Sequence, residues 1–396
     1  MLIHWIWLAQ RKNVTIGQKL QCLEFFRDPE YVYAASSAAF RCVEGLSEKA
    51  LKSLEDKDLT DAREILRKCE DKNISILTFG DGAYPHRLKN IAAPPLVLYY
   101  KGYLPQWQEM PAIGIVGTRK ASAAGLKNAC EFGYEVAACG GLVVSGGADG
   151  IDAAALEGAM RAGKKVVAVL GFGADIVYPA KHKALFANIE KQGCLLTEYI
   201  PGTPANSWNF PMRNRIISGI SAGVLVVEAP KRSGAMNTAN HAMDQGRDLF
   251  AVPGNVGVEC CAGSNELLKD RAMVATCGWD VVSEYAGLYP HAVKKCSGKP
   301  QPEQKPEKLP EQIATASPFD KISIDNPEKS QYSVNANLTL SEEEQQIVAK
   351  LTKKAVPVDS LLMMLDMPAG KALSILTMLA LKGVVQNHPG NSVSLK

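Results

Sequence analysis

The chain has 396 residues, 46% of them apolar and 21% charged, with 33 Gly and 22 Pro. At roughly 150 residues per domain this length predicts two to three domains, and the composition excludes global disorder, collagen and coiled coil. Lys+Arg 44 against Asp+Glu 41 leaves a net charge of +3, so any surface that binds a polyanion must come from local clustering. Ten cysteines occur without a C-x-x-C or H-E-x-x-H pattern, which removes the zinc ribbon and the metalloprotease helix and reads as thiols in a reducing compartment. Met1–Ala9 is apolar but lacks a cationic n-region and a cleavage site. No run approaches the roughly 18 apolar residues of a membrane span. The expectation is a cytoplasmic protein without membrane contact, metal or cofactor.

Residues 1–75 read as a helical module of short amphipathic segments at Gln18–Phe26, Glu30–Ala35, Phe40–Val43, Glu48–Leu54 and Asp58–Asn73. Gly45-Leu46-Ser47 forms a tight turn between two of them, as in SAM-like and helix-hairpin-helix units. Such a module either touches a DNA backbone or serves packing and dimerisation. Residues 76–285 form the core, and from Ile113 the pattern changes to β-branched runs: Ile113–Gly117, Leu142–Ser145, Val166–Leu170, Leu195–Thr197, Val224–Val227 and Leu249–Val252. Helical stretches at Ala123–Cys139, Ile151–Ala162, Lys181–Gln192, Arg213–Ile220 and Ala235–Gln245 separate them. Runs apolar on both faces with helices between them predict a doubly wound, Rossmann-like α/β domain with a parallel sheet. Residues 286–337 carry seven prolines among Lys, Glu, Gln and Ser and read as a disordered linker. Ser341-Glu342-Glu343-Glu344 then opens a helix with a capping box, and 338–396 reads as three helices and a hairpin, a winged helix-turn-helix.

Parallel strands deliver the turns at their carboxyl ends to one edge, where ligands of such folds bind. Those turns are Gly117-Thr118-Arg119-Lys120, Ser145-Gly146-Gly147-Ala148-Asp149, Gly171-Phe172-Gly173, Lys231-Arg232-Ser233-Gly234 and Pro253-Gly254-Asn255. Glycine lets a backbone approach a phosphate, and the following helix N-terminus offers N–H groups and a positive dipole end. Gly146-Gly147 before Ile151 and Ser233-Gly234 before Ala235 meet that need, and Arg119, Lys231 and Arg232 add charge. The dinucleotide fingerprint G-x-G-x-x-G is absent, and Gly158–Lys165 misses the P-loop because it precedes a strand. In Phe210-Pro211-Met212-Arg213-Asn214-Arg215 an aromatic, two arginines and an amide suit a single-stranded nucleic acid: Phe210 stacks a base, Arg213 and Arg215 bind phosphate, Asn214 reads an edge. Trp208 adds a second stacking face. The stretch from Ile113 to Tyr285 holds 16 basic and 16 acidic residues, so affinity would come from this focused patch.

These residues resemble the DNA-processing protein A family (DprA, also called Smf). The matching motifs are Tyr84-Pro85 through Leu88, Pro94–Tyr99 with Lys101-Gly102, Val116–Arg119, Ser145-Gly146 with Gly150-Ile151-Asp152, Tyr178-Pro179, Phe210-Pro211 with Arg213–Ser218, Glu228, Ser233-Gly234, Thr238-Ala239 and Pro253-Gly254. The resemblance implies a core that binds and protects single-stranded DNA during natural transformation, loads the recombinase RecA and dimerises, with no enzymatic activity. By carry-over the DNA pocket involves Gly117, Thr118, Arg119, Ser145, Gly146, Gly147, Phe210, Arg213, Asn214 and Arg215. Asp149 stands where the family usually has a basic residue, and Leu156 where it commonly has His. In the terminal winged helix, the recognition helix Ala369–Lys382 offers only Lys371 and Lys382 as cations, while Met363, Met364, Met367 and Met378 suggest an apolar core or a partner surface. A competing reading is a Rossmann-type nucleotide hydrolase like the phosphoribohydrolases, although the turn after Ser145 has their glycines without their Thr and Glu. A winged-helix regulator is disfavoured by the poor recognition helix.

Overall fold

The structure, a computed structural model, describes residues 2–296 and most of 342–395. The stretch 297–341, which holds most of the expected linker and Ser341 of the expected capping box, lies outside the described residues, as do Lys371 and Lys382. The chain divides into two compact units, Met1–Glu307 and Lys308–Lys396. Among the described residues no helix is long and apolar enough to cross a membrane.

Six helices open the first unit: α1 (Leu2–Gln10), α2 (Ile16–Phe26), α3 (Pro29–Ala34), α4 (Ser37–Phe40), α5 (Glu48–Glu55) and α6 (Thr60–Asp71). Polar residues set their starts. Thr15 and Gln18 form a reciprocal capping box at α2, Asp28 caps α3 and Ser47 caps α5, each satisfying an amide that the helix leaves unpaired. Their apolar faces meet around Ile6, Trp7, Leu8, Val32, Phe40 and Leu54, and this core continues onto Val97 and Tyr99 of the sheet. The helical region therefore shares its core with the sheet beyond residue 75.

The sheet has nine strands: β1 (Ser75–Thr78), β2 (Val97–Gly102), β3 (Ala112–Val116), β4 (Leu142–Ser145), β5 (Val166–Val169), β6 (Cys194–Thr197), β7 (Gly223–Val226), β8 (Asp248–Ala251) and β9 (Met273–Val274). Their order is β1-β2-β6-β5-β4-β3-β7-β8-β9. All neighbours from β6 to β9 are parallel, while β1 and β2 run antiparallel at one edge. The six expected runs are the six strands β3 to β8. Strands β3, β4, β5, β6 and β7 are buried at every residue, as a sheet covered on both faces requires. After α7 (His86–Lys89), five longer helices supply that cover: α8 (Ala123–Ala138), α9 (Ile151–Arg161), α10 (Lys183–Gln192), α11 (Asn209–Ile220) and α12 (Gly234–Asp244). One layer packs around Ile113, Val143, Leu156 and Phe186, the other around Val144, Ile216, Val224 and Ala239. Truncating one such residue, Ile216→Ala, would cost about 2–5 kcal/mol.

In the second unit, the helix Glu342–Lys350 and the antiparallel strands Val356–Pro357, Ser392–Leu395 and Val385–His388 surround a small core of Ile347, Leu361, Leu376 and Leu379. Met364 and Met378 are exposed there, while Met367 packs against the core.

Candidate nucleic-acid interface

In sequence order the chain winds from β3 through β4, β5 and β6 in one direction, then returns to place β7 on the other side of β3. This reversal parts the turns that follow β3 and β7, and a crevice opens at their carboxyl ends. The cavity there encloses about 520 Å³ and is bordered by the turn Gly117-Thr118-Arg119-Lys120, by Phe210, Arg213 and Asn214 of α11, and by Arg232-Ser233-Gly234 at the start of α12. A smaller recess of about 50 Å³ is lined by Gly146, Gly147 and Phe172 together with Arg119, Tyr178 and Phe210, which also border the main cavity.

Unpaired cations line this cavity. Arg119, Lys120 and Arg232 are exposed, and among the described residues none has a carboxylate within 4.0 Å. The Arg119 guanidinium lies 4.8 Å from the centroid of the Phe210 ring, a cation–π contact that aims the charge over an aromatic face. Phe210 is half-buried, backed by Phe172 at 6.4 Å and flanked by Tyr178 at 6.0 Å between ring centroids. At α12, Ser233 Oγ accepts from the Met236 amide. That leaves the Gly234 and Ala235 amides, both bordering the cavity, without a partner inside the helix.

Other predicted ligand residues hold the cleft together instead. Burial pushes the Asp152 carboxyl up, against the Arg213 charge and three backbone amides, those of Ala148, Gly117 and Gly146. The turn after β4 thus gives its Gly146 and Ala148 amides to the chain's own carboxylate, so part of the phosphate cradle expected at Gly146-Gly147 is engaged from within. A side chain at position 146 would strike Asp152 and Arg213, which is why glycine stands there. Gly147 takes the left-handed backbone conformation, φ 65°, and Ser145 Oγ donates to the Ile115 carbonyl at 2.6 Å in a fully buried position.

Arg213 borders the cavity but is only 3% exposed. Its guanidinium donates to the Val169 carbonyl and, at 2.8 Å, to that of Gly146, so it joins β5 to the β4 turn. Asn214, also buried, donates to Gly234 O at 3.1 Å and Asn237 Oδ1 at 3.3 Å, fixing α11 against the start of α12. Arg215 does not border the cavity. It forks onto Glu198 with two 2.6 Å bonds and donates to the Ala93 and Met212 carbonyls. The phosphate contact expected of Arg215 is therefore replaced by a half-buried, bidentate structural ion pair. Lys231 pairs with Glu266 at 3.5 Å outside the cavity lining, and Trp208, 84% exposed, is not part of that lining either. Asp149 is balanced by the Lys181 ammonium at 2.9 Å and lies 2.8 Å from His182 Nε2, so the acid found where the family usually carries a base meets a cation and an imidazole from the following segment. Leu156 is fully buried.

Two residues that the sequence offers only as family motifs, with no assigned role, also shape the site. Tyr178 forms a wall of the cleft, and Glu228 anchors its floor, accepting from the Ser122 amide at 2.9 Å and Ser122 Oγ at 2.5 Å while its carbonyl accepts from Thr118 N at 2.7 Å. Both lie far along the chain from their partners, so no local spacing announces them.

A doubly wound sheet with an aromatic, cationic crevice at its switch point defines a protein of the Rossmann-like class. Comparison makes this particular: the sequence model of DNA recombination-mediator protein A matches residues 75–286 and that of the DprA winged helix domain matches 333–391, and the chain belongs to this family. It is 39% identical over 207 residues to the DNA processing protein DprA of Streptococcus pneumoniae, covering 52% of this chain and 72% of that protein. It is 35% identical over 275 residues to the protein Smf of Synechocystis, covering 68% and 69%. The X-ray structure of the S. pneumoniae protein superposes with a TM-score of 0.64 at 31% identity, over 72% of this chain and 98% of that one.

Proposed function

We propose that the cleft binds single-stranded DNA without catalysing a reaction on it, that the bound strand is shielded and handed to the RecA recombinase, and that this serves DNA uptake in the cytoplasm. The observation that carries the reading is the Arg119 guanidinium poised over the half-exposed Phe210 ring, beside two further unpaired cations, Lys120 and Arg232. An unstacked base has a π-face for Phe210 or Tyr178, and its phosphates find Arg119, Arg232 and the amides of Gly234 and Ala235. A duplex keeps its bases stacked inside and offers the aromatics nothing. The contact set is thus narrowed to Gly117, Thr118, Arg119, Phe210, Arg232, Ser233 and Gly234, with Ser145, Gly146, Gly147, Arg213 and Asn214 as its scaffold. A homodimer fits the open edge of the sheet, where β9 exposes Met273 and Val274, because an unpaired apolar strand edge invites a second copy.

The test is fluorescence anisotropy of a labelled oligo-dT and a matched duplex, with RecA assembly on the bound strand as a second readout. Tight single-strand binding, weaker duplex binding, loss of both signals on Arg119→Ala and faster RecA assembly in the presence of the chain are expected. If neither DNA binds at low salt while nucleoside monophosphates are turned over, the reading is wrong and the hydrolase takes its place.

A further inference from the structure

Behind the cleft, Glu228 meets two cysteines from a different part of the chain. The strand β7 ends just before Glu228, and the short turn Glu259–Cys261 brings adjacent thiols against it. One ligand atom from each of Glu228, Cys260 and Cys261 lies within 4.8 Å of the others, and among the described residues no other three such donors converge. The two Sγ atoms are 3.9 Å apart. In a tetrahedral zinc site with Zn–S bonds of about 2.3 Å, two thiolates stand about 3.8 Å apart, so this pair is already spaced as ligands of one ion.

The surroundings suit such an ion. Glu228 and Cys261 are buried and Cys260 is half-buried, which excludes most water while leaving a path for entry. Ligating carboxylates are themselves held by outer hydrogen bonds, and Ser122 supplies two to Glu228. The cysteine turn is anchored too: Gly263 N donates to the Ala229 carbonyl at 2.8 Å, and any side chain at position 254 would collide with Cys261 Sγ.

We propose that Glu228, Cys260 and Cys261 form a binding site for a thiophilic divalent cation of the zinc type, with the fourth position taken by water. Loading sends the thiol protons to solvent and leaves two thiolates and a carboxylate on the ion. Because Glu228 also fixes Ser122 and, through its carbonyl, Thr118, the ion sits directly behind the loop that carries Arg119.

The experiment uses the full chain, reduced and stripped with a chelator, and Co²⁺ as the probe. One equivalent is expected to give thiolate-to-cobalt charge-transfer absorption with the intense visible bands of tetrahedral cobalt, and Zn²⁺ to bleach both. Cys260→Ser and Cys261→Ser each lower the charge-transfer band and the paired substitution abolishes it, whereas Cys42→Ser, at an exposed thiol, keeps it in full. On the wild type, Zn²⁺ slows alkylation of Cys260 by iodoacetamide, read by peptide mass spectrometry, and leaves Cys42 unaffected, so the result does not depend on a variant folding. The proposal is overturned by the absence of a charge-transfer band at stoichiometric Co²⁺, by a band that survives the paired serine substitution, or by alkylation of Cys260 that ignores Zn²⁺.

Discussion

The helical region and the cleft differ in what they do with positive charge. Residues 11–72 hold twelve Lys and Arg, whereas four border the cleft, yet the helical region uses most of its cations internally. Arg11 bonds Asp56 at 3.1 Å, Lys19 donates to the Ala9 carbonyl at 2.6 Å, and Lys57 lies 4.8 Å from the Phe40 ring centroid and 5.1 Å from that of Trp7. Arg41, Arg67, Lys68 and Lys72 each face a carboxylate. In the cleft only Arg213 is consumed, and Arg119, Lys120 and Arg232 stay unpaired. A count of basic residues therefore points to the wrong end of the chain. Among the described residues Lys12, Arg27, Lys49, Lys52 and Arg63 of the helical region carry no ion pair either, so what marks the cleft is that its unpaired cations line one cavity beside the Phe210 ring.

The sharpest way to break this comparison is to exchange the two kinds of arginine within the cleft. Arg213→Met leaves Asp152 buried without its counter-charge, which costs about 3–5 kcal/mol. Urea denaturation should show a large fall in midpoint, and an unchanged midpoint would make Arg213 a ligand residue after all. Arg119→Ala should do the opposite, keeping the midpoint and weakening oligo-dT binding about tenfold to a hundredfold, the worth of one charge-assisted contact. A smaller effect is expected in the salt dependence: Arg232→Ala should reduce the slope of log K against log salt by roughly 0.7, the value of one phosphate contact on a single strand. An unaltered slope would remove Arg232 from the contact set.

The smallest effect belongs to the helical region. Burial pulls Lys19 and Lys57 down to about 8 from 10.5, so between these values the unfolded chain holds more protons than the folded one. Stability should accordingly rise with pH from about 8 towards 10.5, and below that window the buried charge works against the fold. The rise in unfolding midpoint should be smaller in Lys19→Met, with oligo-dT affinity unchanged. An equal rise would mean that Lys19 is not the group responsible.

The parallel sheet was readable because β-branched runs buried on both faces have few other uses, and all six expected runs became strands. The antiparallel edge was not: β1 is only the four residues Ser75–Thr78, and β2 ends in the polar Lys101 and Gly102, so neither shows a run of the same kind. The arginine segment shows a different limit. Arg213 and Arg215 stand about 200° apart around one helix and cannot present the same face, so one periodic argument could have separated them. Which of the two borders the cleft depends on carbonyls and a carboxylate 67, 44 and 17 residues away, and no local pattern reports those. The same holds for Asp152, which takes the Gly146 and Ala148 amides of that turn: the turn looks like a free phosphate cradle until the carboxylate is seen.

The claim at the centre of this account is that a single strand crosses the carboxyl edge of the sheet over Phe210. Photocrosslinking an oligo-dT substituted with bromodeoxyuridine, followed by peptide mass spectrometry, reads that contact directly. Adducts on Phe210, Tyr178 or their immediate neighbours, lost in Arg119→Ala, are predicted. Adducts confined to residues 2–71 or to the unit after residue 307 would contradict it.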